Sequence, residues 1–377
     1  MKELIKKAIE SIFSRFPLTN TIIFESYPDV SDSSEVLFKY FLEKKVDEKY
    51  KIVWILSEIN SNDYPKGNNV YYYKRNASLF EKVKITYILN TAKYIFDSND
   101  YIYKKRNSQI RIHLGHGMPL KYSAEYSKNL GEVDGVLVTS DVFREHYMKK
   151  CMVKDKHVLS LGLPRNDYIC QKIAVKQFEG KKVIVWMPTY RQHQYKTADL
   201  DIISEFGLPC VSDVEQLKKL EQVLLTNNVL LLIRLHPAQN TSLLKDIDIK
   251  NIHLANDEYL KEKEIKLYQI LSATDALITD YSSIYYDYLL TDKPIGLTIN
   301  DIDEFKNVYN IIYDDFEKNI VGQHIHNFEQ LIDFIEDIAN GNDKTKEIRL
   351  QAKKRFHKYE DLFTQRVYEY LKDNYHL

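Results

Sequence analysis

The chain has little cysteine, glycine or proline: 3 Cys, 11 Gly and 9 Pro in 377 residues. Cys151, Cys170 and Cys210 are odd in number, widely spaced and without a Cys-x-x-Cys or Cys/His pattern. That excludes a disulfide scaffold or a zinc module and fits a reducing compartment. No apolar run approaches the roughly 20 residues of a membrane-spanning helix, and the N-terminus lacks a signal-peptide pattern, so a cytoplasmic location is expected. Net charge is missing too: 53 Lys and Arg against 54 Asp and Glu leave -1, without the cationic field that a phosphate backbone requires. Nucleic acid is therefore not an expected partner. No repeat of about 20 to 50 residues is present, which excludes solenoids and propellers.

What the chain does have is an ordinary globular balance, 44% apolar and 28% charged residues, over a length beyond the size at which one core stops growing. Two domains follow. From residue 21, short β-branched or aromatic runs alternate with amphipathic segments, the pattern of βα units around a parallel sheet. Strands are predicted at Thr21 to Glu25, Lys51 to Leu56, Val70 to Lys74, Lys93 to Asp97, Ile110 to Leu114, Gly135 to Thr139 and His157 to Leu161. A second series is predicted at Val183 to Met187, Val229 to Leu235, Asn251 to Ala255, Ala276 to Thr279, Ile295 to Thr298 and Asn310 to Tyr313. Helical patterns separate them, among them Ser34 to Lys45, Ser78 to Leu89, Asp213 to Thr226 and Asn327 to Ala339. The expected architecture is α/β of the glycosyltransferase-B type, two Rossmann-like domains facing across a cleft. The expected division is 1–170, 171–345, and C-terminal helices over 346–377 that pack back on the first domain. Leu4, Ile5, Ala8, Ile9, Ile12, Phe13 and Phe16 form one apolar helical stripe, with Lys2, Lys6, Lys7 and Arg15 largely off it. The stripe packs on its own domain or rests on an anionic membrane surface, and the former is preferred.

Three constellations carry chemistry. In Gly115-His116-Gly-Met-Pro119-Leu-Lys121, two glycines flank a histidine after a predicted strand, at the strand end where open α/β sheets bind ligands. A histidine there acts as a general base near neutral pH, or merely bonds to backbone in a polar turn. No third ligand accompanies His113 and His116, so no metal site is expected. In Arg234-Leu-His236-Pro237 an apolar strand ends on a cation and a histidine. Arg234 suits phosphate, or pairs with a surface carboxylate. In Thr279-Asp280-Tyr-Ser282-Ser283 a strand runs into a helix, so the serines fall at an N-cap, which serves an anion or simply caps the helix. Asp280 orients a neighbouring group or caps a turn. Arg165 in Gly162-Leu-Pro-Arg165-Asn-Asp167, and Thr189 with Arg191 in Met187-Pro-Thr189-Tyr-Arg191, are further candidates for an anionic ligand.

These segments, with Phe24-Glu-Ser26 and Asp32-Ser-Ser-Glu35 before them and Asp292-Lys-Pro294 after, resemble in order and spacing the CDP-glycerol glycerophosphotransferases of teichoic-acid and capsule assembly. They span most of residues 21 to 305. The resemblance implies transfer of a polyol phosphate from CDP-glycerol or CDP-ribitol to a lipid-linked or polymeric acceptor hydroxyl, with release of CMP. It also implies His116 as the base and His236 with Ser282 and Ser283 near the donor diphosphate. No cofactor is implied beyond the CDP-polyol itself, and contact with the inner membrane surface is an expectation that follows from such acceptors. Gly115 stands where relatives often carry Trp, and Asp32-Ser-Ser-Glu35 where they often have Asp-Asn-Pro-Lys, so the acceptor is where this chain departs most. Two other readings of the same fold are a nucleotide-sugar enzyme and a noncatalytic scaffold in an assembly complex.

Overall fold

The computed structural model describes residues 2–58, 64–75, 78–122, 130–171, 173–189, 206–236, 244 and 249–377. The chain first forms β1 (Thr19–Glu25), β2 (Lys51–Leu56), β3 (Val70–Lys74), β4 (Ala92–Asp97) and β5 (Ile110–His113). The short β6 (Lys121–Tyr122), β7 (Gly135–Leu137) and β8 (Val158–Leu159) follow. All but β6 join one parallel sheet in the order β3-β2-β1-β4-β5-β7-β8. Ile22, Ile23 and Phe24 are each fully buried, as a parallel strand covered on both faces requires. Ile23 packs with Ile85 and Ile88 of helix α3 (Leu79–Thr91). Phe24 turns the other way, onto Phe38 and Phe41 of helix α2 (Asp32–Glu43), at ring separations of 5.7 and 5.6 Å.

The second series is β9 (Lys182–Met187), β10 (Val229–Ile233), β11 (Ile252–Leu254), β12 (Ala276–Thr279), β13 (Ile295–Thr298), β14 (Asn310–Ile311) and β15 (Gln323–Ile325). Its parallel sheet runs β11-β10-β9-β12-β13-β15. One expected strand is misplaced by the sequence reading: Asn310 begins a two-residue strand that leaves the main sheet and pairs antiparallel with β6. The sheet's last strand is instead β15, whose three residues bury only Ile325 and so carry no readable alternation.

The chain divides into two compact units, one of Met1–Met118, Ala124–Asp167 and His357–Leu377, the other of Pro119–Ser123 and Tyr168–Phe356. The C-terminal region is split between them: the helix Lys346–Phe356 lies in the second unit and the helix Phe363–Tyr375 in the first. The boundary also cuts the Gly115 to Lys121 motif, so one short stretch supplies His116 to the first unit and Lys121 to the second. In both sheets the strand order reverses beside the first strand, between β1 and β4 and between β9 and β12. Ligands of open α/β sheets bind at the carboxyl ends of the strands beside such a reversal.

Candidate active-site residues

At the carboxyl end of β1 and β4, Glu25 lies opposite Asp97, and Asp97 opposite His113 on β5. Arg111, His113 and Asp97 are buried together: Arg111 Nε donates to Asp97 Oδ1 at 2.9 Å, and His113 Nδ1 meets Asp97 Oδ2 at 2.8 Å. Burial alone would raise the Asp97 carboxyl, but Arg111 and His113 hold it well below the usual carboxylate range. Glu25 goes the other way. It is 1% exposed, its carboxylate oxygens have no hydrogen-bond partner among the described residues, and burial, then Asp97, push it up to about 8.

His116 sits beside this cluster. Gly115 and Gly117 have φ of +69° and +128°, backbone that other residues rarely adopt, and they turn the chain so that the His116 ring reaches the end of β4. Its Nδ1 lies 3.0 Å from the Ser98 carbonyl oxygen. A carbonyl only accepts, so Nδ1 carries the proton and Nε2 keeps a lone pair. Burial pushes the imidazole below its ordinary value, against a smaller upward pull from Asp32. The ring is thus neutral at pH 7, the state a general base needs. Its anchor is itself held: the hydroxyls of Ser98 and Ser34 are 2.8 Å apart, and Ser34 Oγ donates to the Glu25 carbonyl at 2.7 Å. Arg165 donates to Asp32 Oδ2 at 2.9 Å, with 6% of its side chain exposed, so this arginine is matched by a carboxylate of the first unit.

The second unit gathers most of the other predicted residues. Asp280, fully buried just past β12, accepts from the Thr189 backbone N–H at 2.9 Å and from its hydroxyl at 2.6 Å. Thr189 follows β9, so this pair ties together the two strands that flank the reversal. Ser282 and Ser283 follow directly, but not as a hydroxyl cap. Ser283 is already helical at φ -59° and ψ -19°, its side chain makes no capping bond, and the helix behind it spans only Ile284–Tyr288. A serine caps from extended backbone, which this one has left. Arg234 follows β10 and points along the sheet edge, donating to the Ala255 carbonyl at 3.0 Å and to Asp257 at 2.6 Å. His236, two residues on, is exposed; partial desolvation by its surroundings, then the positive charges of Lys121 and Arg234, lower its pKa. Arg191 and Pro237 lie outside the described residues.

Predicted residues therefore fall into two groups: His116 with Arg165 in the first unit, and Thr189, Arg234, His236, Asp280, Ser282 and Ser283 in the second. Sequence reasoning passed over the Glu25, Asp97 and Ser98 surroundings of His116. The one signal available was an acidic residue at the end of each of two apolar strands. Among the described residues, no group of three His, Cys, Asp or Glu is placed to hold a metal ion.

A family model described as CDP-Glycerol:Poly(glycerophosphate) glycerophosphotransferase matches residues 9–372. The chain belongs to this family. Similar proteins include the teichoic acid ribitol-phosphate polymerase TarL of Staphylococcus aureus, 25% identical over 89% of this chain and 60% of that protein. The teichoic acid poly(glycerol phosphate) polymerase of Bacillus spizizenii is 25% identical over 85% of this chain and 84% of its own length. The chain thus spans about three fifths of the first of these relatives and most of the second. Among solved structures, the wall teichoic acid polymerase TagF is 20% identical with a TM-score of 0.73, covering 98% of this chain and 93% of that one. At that identity the likeness is one of fold, and it supports the glycosyltransferase-B type expected for this glycerophosphotransferase-family chain.

Proposed function

We propose that the chain transfers a polyol phosphate, glycerol phosphate first, from a CDP-polyol to an acceptor hydroxyl in teichoic-acid or related surface-polymer synthesis, releasing CMP. The observation that carries this reading is His116: its Nδ1 proton is committed to the Ser98 carbonyl, and burial keeps it neutral. Nε2 takes the acceptor's hydroxyl proton as the oxygen attacks the distal phosphorus of the donor. The new O–P bond replaces the bond to the bridging oxygen, which departs with CMP. His236, with Arg234, Thr189 and the Asp280 to Ser283 turn, receives the donor's phosphates, so catalysis rests on positioning and electrostatics. Arg165, expected to meet an anionic ligand, pairs with Asp32 instead, and its proposed place is on the acceptor side.

The test is nucleotide release from a panel of donors. CMP from CDP-glycerol or CDP-ribitol supports the reading, UDP from a sugar donor replaces it with the nucleotide-sugar reading, and no turnover with any donor leaves a scaffold. His116→Ala and His236→Ala are each expected to lower turnover at least ~100-fold, the scale of a lost general base or phosphate ligand. No metal is assigned a role: turnover is expected to persist in excess chelator, and loss restored by Mg2+ would refute that.

The acceptor, lipid-linked or polymeric, belongs to the same reading, as does a cytoplasmic position with peripheral contact at the inner membrane face. No helix among the described residues is long and apolar enough to cross a membrane. Helix α1 (Lys2–Phe13) packs through Phe13 on Tyr87 of α3 at 5.3 Å and leaves Ile12 57% exposed, and Phe16, three residues past its end, meets the same tyrosine at 5.9 Å while 45% exposed. Contact with lipid is proposed for that exposed edge, and Ile12→Ser with Phe16→Ser is expected to weaken binding to anionic vesicles.

A further inference from the structure

We infer that Lys121 is a phosphate-binding residue of the donor site, contributed to the second unit by the segment that carries His116. This rests on the functional reading above and adds to it a residue whose place sequence alone left unassigned. Three contacts fix Pro119, Leu120 and Lys121 within the second unit. Lys121 lies in β6, paired to β14 with Ile311 opposite it. Ile312 N donates to the Leu120 carbonyl at 2.9 Å, and Tyr286 Oη donates to the Pro119 carbonyl at 3.3 Å. Tyr286 belongs to the helix directly behind Ser282 and Ser283, so the segment is bonded to the element that begins at the donor turn.

The lysine is aimed by aromatic faces. Its Nζ stands 4.8 Å from the Tyr309 ring centroid and 5.5 Å from that of Phe305. Phe305 stacks at 3.9 Å on Tyr281, the residue between Asp280 and Ser282. An ammonium over such rings keeps its charge and its three donors while its stem is fixed. The charges at His236 point the same way, since Lys121 and Arg234 both act on its ring as nearby positive charge. Two cations that both bear on one ring repel each other less once an anion joins them, and a diphosphate supplies more than one negative charge. Arg234 is paired with Asp257 at 2.6 Å, and Lys121 adds a second positive charge that bears on His236.

The experiment measures binding of CDP and of cytidine to the full chain by calorimetry, in wild type, Lys121→Met and Lys121→Arg. Methionine keeps an apolar stem on Tyr309 and Phe305, and arginine keeps the charge. The expected result is at least a tenfold weaker Kd for CDP in Lys121→Met, unchanged cytidine binding, and CDP affinity within about threefold of wild type in Lys121→Arg. Equal CDP affinity in wild type and Lys121→Met overturns the inference and leaves the functional reading standing. Equal losses for CDP and cytidine also overturn it, because they mark a structural role. A wild-type chain that binds no cytidine nucleotide overturns the functional reading first, and this inference with it.

Discussion

Glu25 ends β1 as a buried acid whose oxygens accept no hydrogen bond among the described residues and meet Arg75 only at 4.0 Å, and its pKa is pushed up to about 8 from 4.5. The sign of its linkage follows from the raised value. Below the unfolded value both states are protonated and ionisation costs nothing. Between about 4.5 and 8 the unfolded chain ionises while the folded one stays protonated, so stability falls by up to ~1.4 kcal/mol per pH unit from this group alone. Glu25→Gln is expected to be more stabilising at pH 8 than at pH 5 in urea denaturation; an equal change at both values would show that Glu25 does not titrate in this window. For His116 the direction is opposite: burial depresses it, so kcat/KM is expected to rise through an apparent pKa below 6.5 and level off by neutral pH. A profile whose limb sits above 6.5 would contradict a buried neutral base. His116 itself was legible because glycines on both sides of a histidine after a strand mark a tight turn at a ligand edge. Glu25, Asp97 and Ser98 were not, because their burial depends on β1, β4 and β5 standing side by side, which spacing along the chain does not encode.

At the scale of elements, strands were the most legible part: β2, β3, β12 and β13 match the predicted runs at both ends. β2, β12 and β13 are compact, largely buried apolar runs, so local pattern and final environment agree, while β3 is a short aromatic run that buries only Tyr73. The failures were short pieces, β6, β14 and β15, whose pairing is decided by long-range contacts rather than by their own two or three residues. Asp167 shows how such contacts act on a helix. It lies in the Arg-Asn-Asp stretch, yet its carboxylate accepts from the backbone N–H groups of Phe363 and Thr364, both at 2.9 Å, and so caps the C-terminal helix from 196 residues away. Leu362, at that helix's N-cap position, supplies no side-chain cap. Asp167→Ala is expected to cost about 1–2 kcal/mol, the worth of a lost cap, with the C-terminal helix exchanging its amide hydrogens faster. An unchanged melting temperature and unchanged exchange over residues 363–375 would show that the cap is redundant.

Across the whole molecule the two units carry different assigned tasks, and ligand binding separates them. A ligand that binds only the folded state adds about 2.7 kcal/mol at a hundredfold excess over its Kd. If the second unit holds the donor, CDP protects it first: amide exchange is expected to slow in β9 and β12, where Thr189 and Asp280 are bonded, more than in β1 and β4. His236→Ala is expected to lose most of that protection, because it removes a group proposed to meet the phosphates. His116→Ala is expected to keep it while losing turnover, since its ring is anchored on Ser98 in the first unit and its proposed part is to take the acceptor's proton. Both variants lose turnover and only His236→Ala loses protection, a difference that does not depend on which polyol is transferred. If His116→Ala instead abolished CDP protection and His236→Ala spared it, the two histidines would have exchanged roles, and the acceptor would be sought on the second unit.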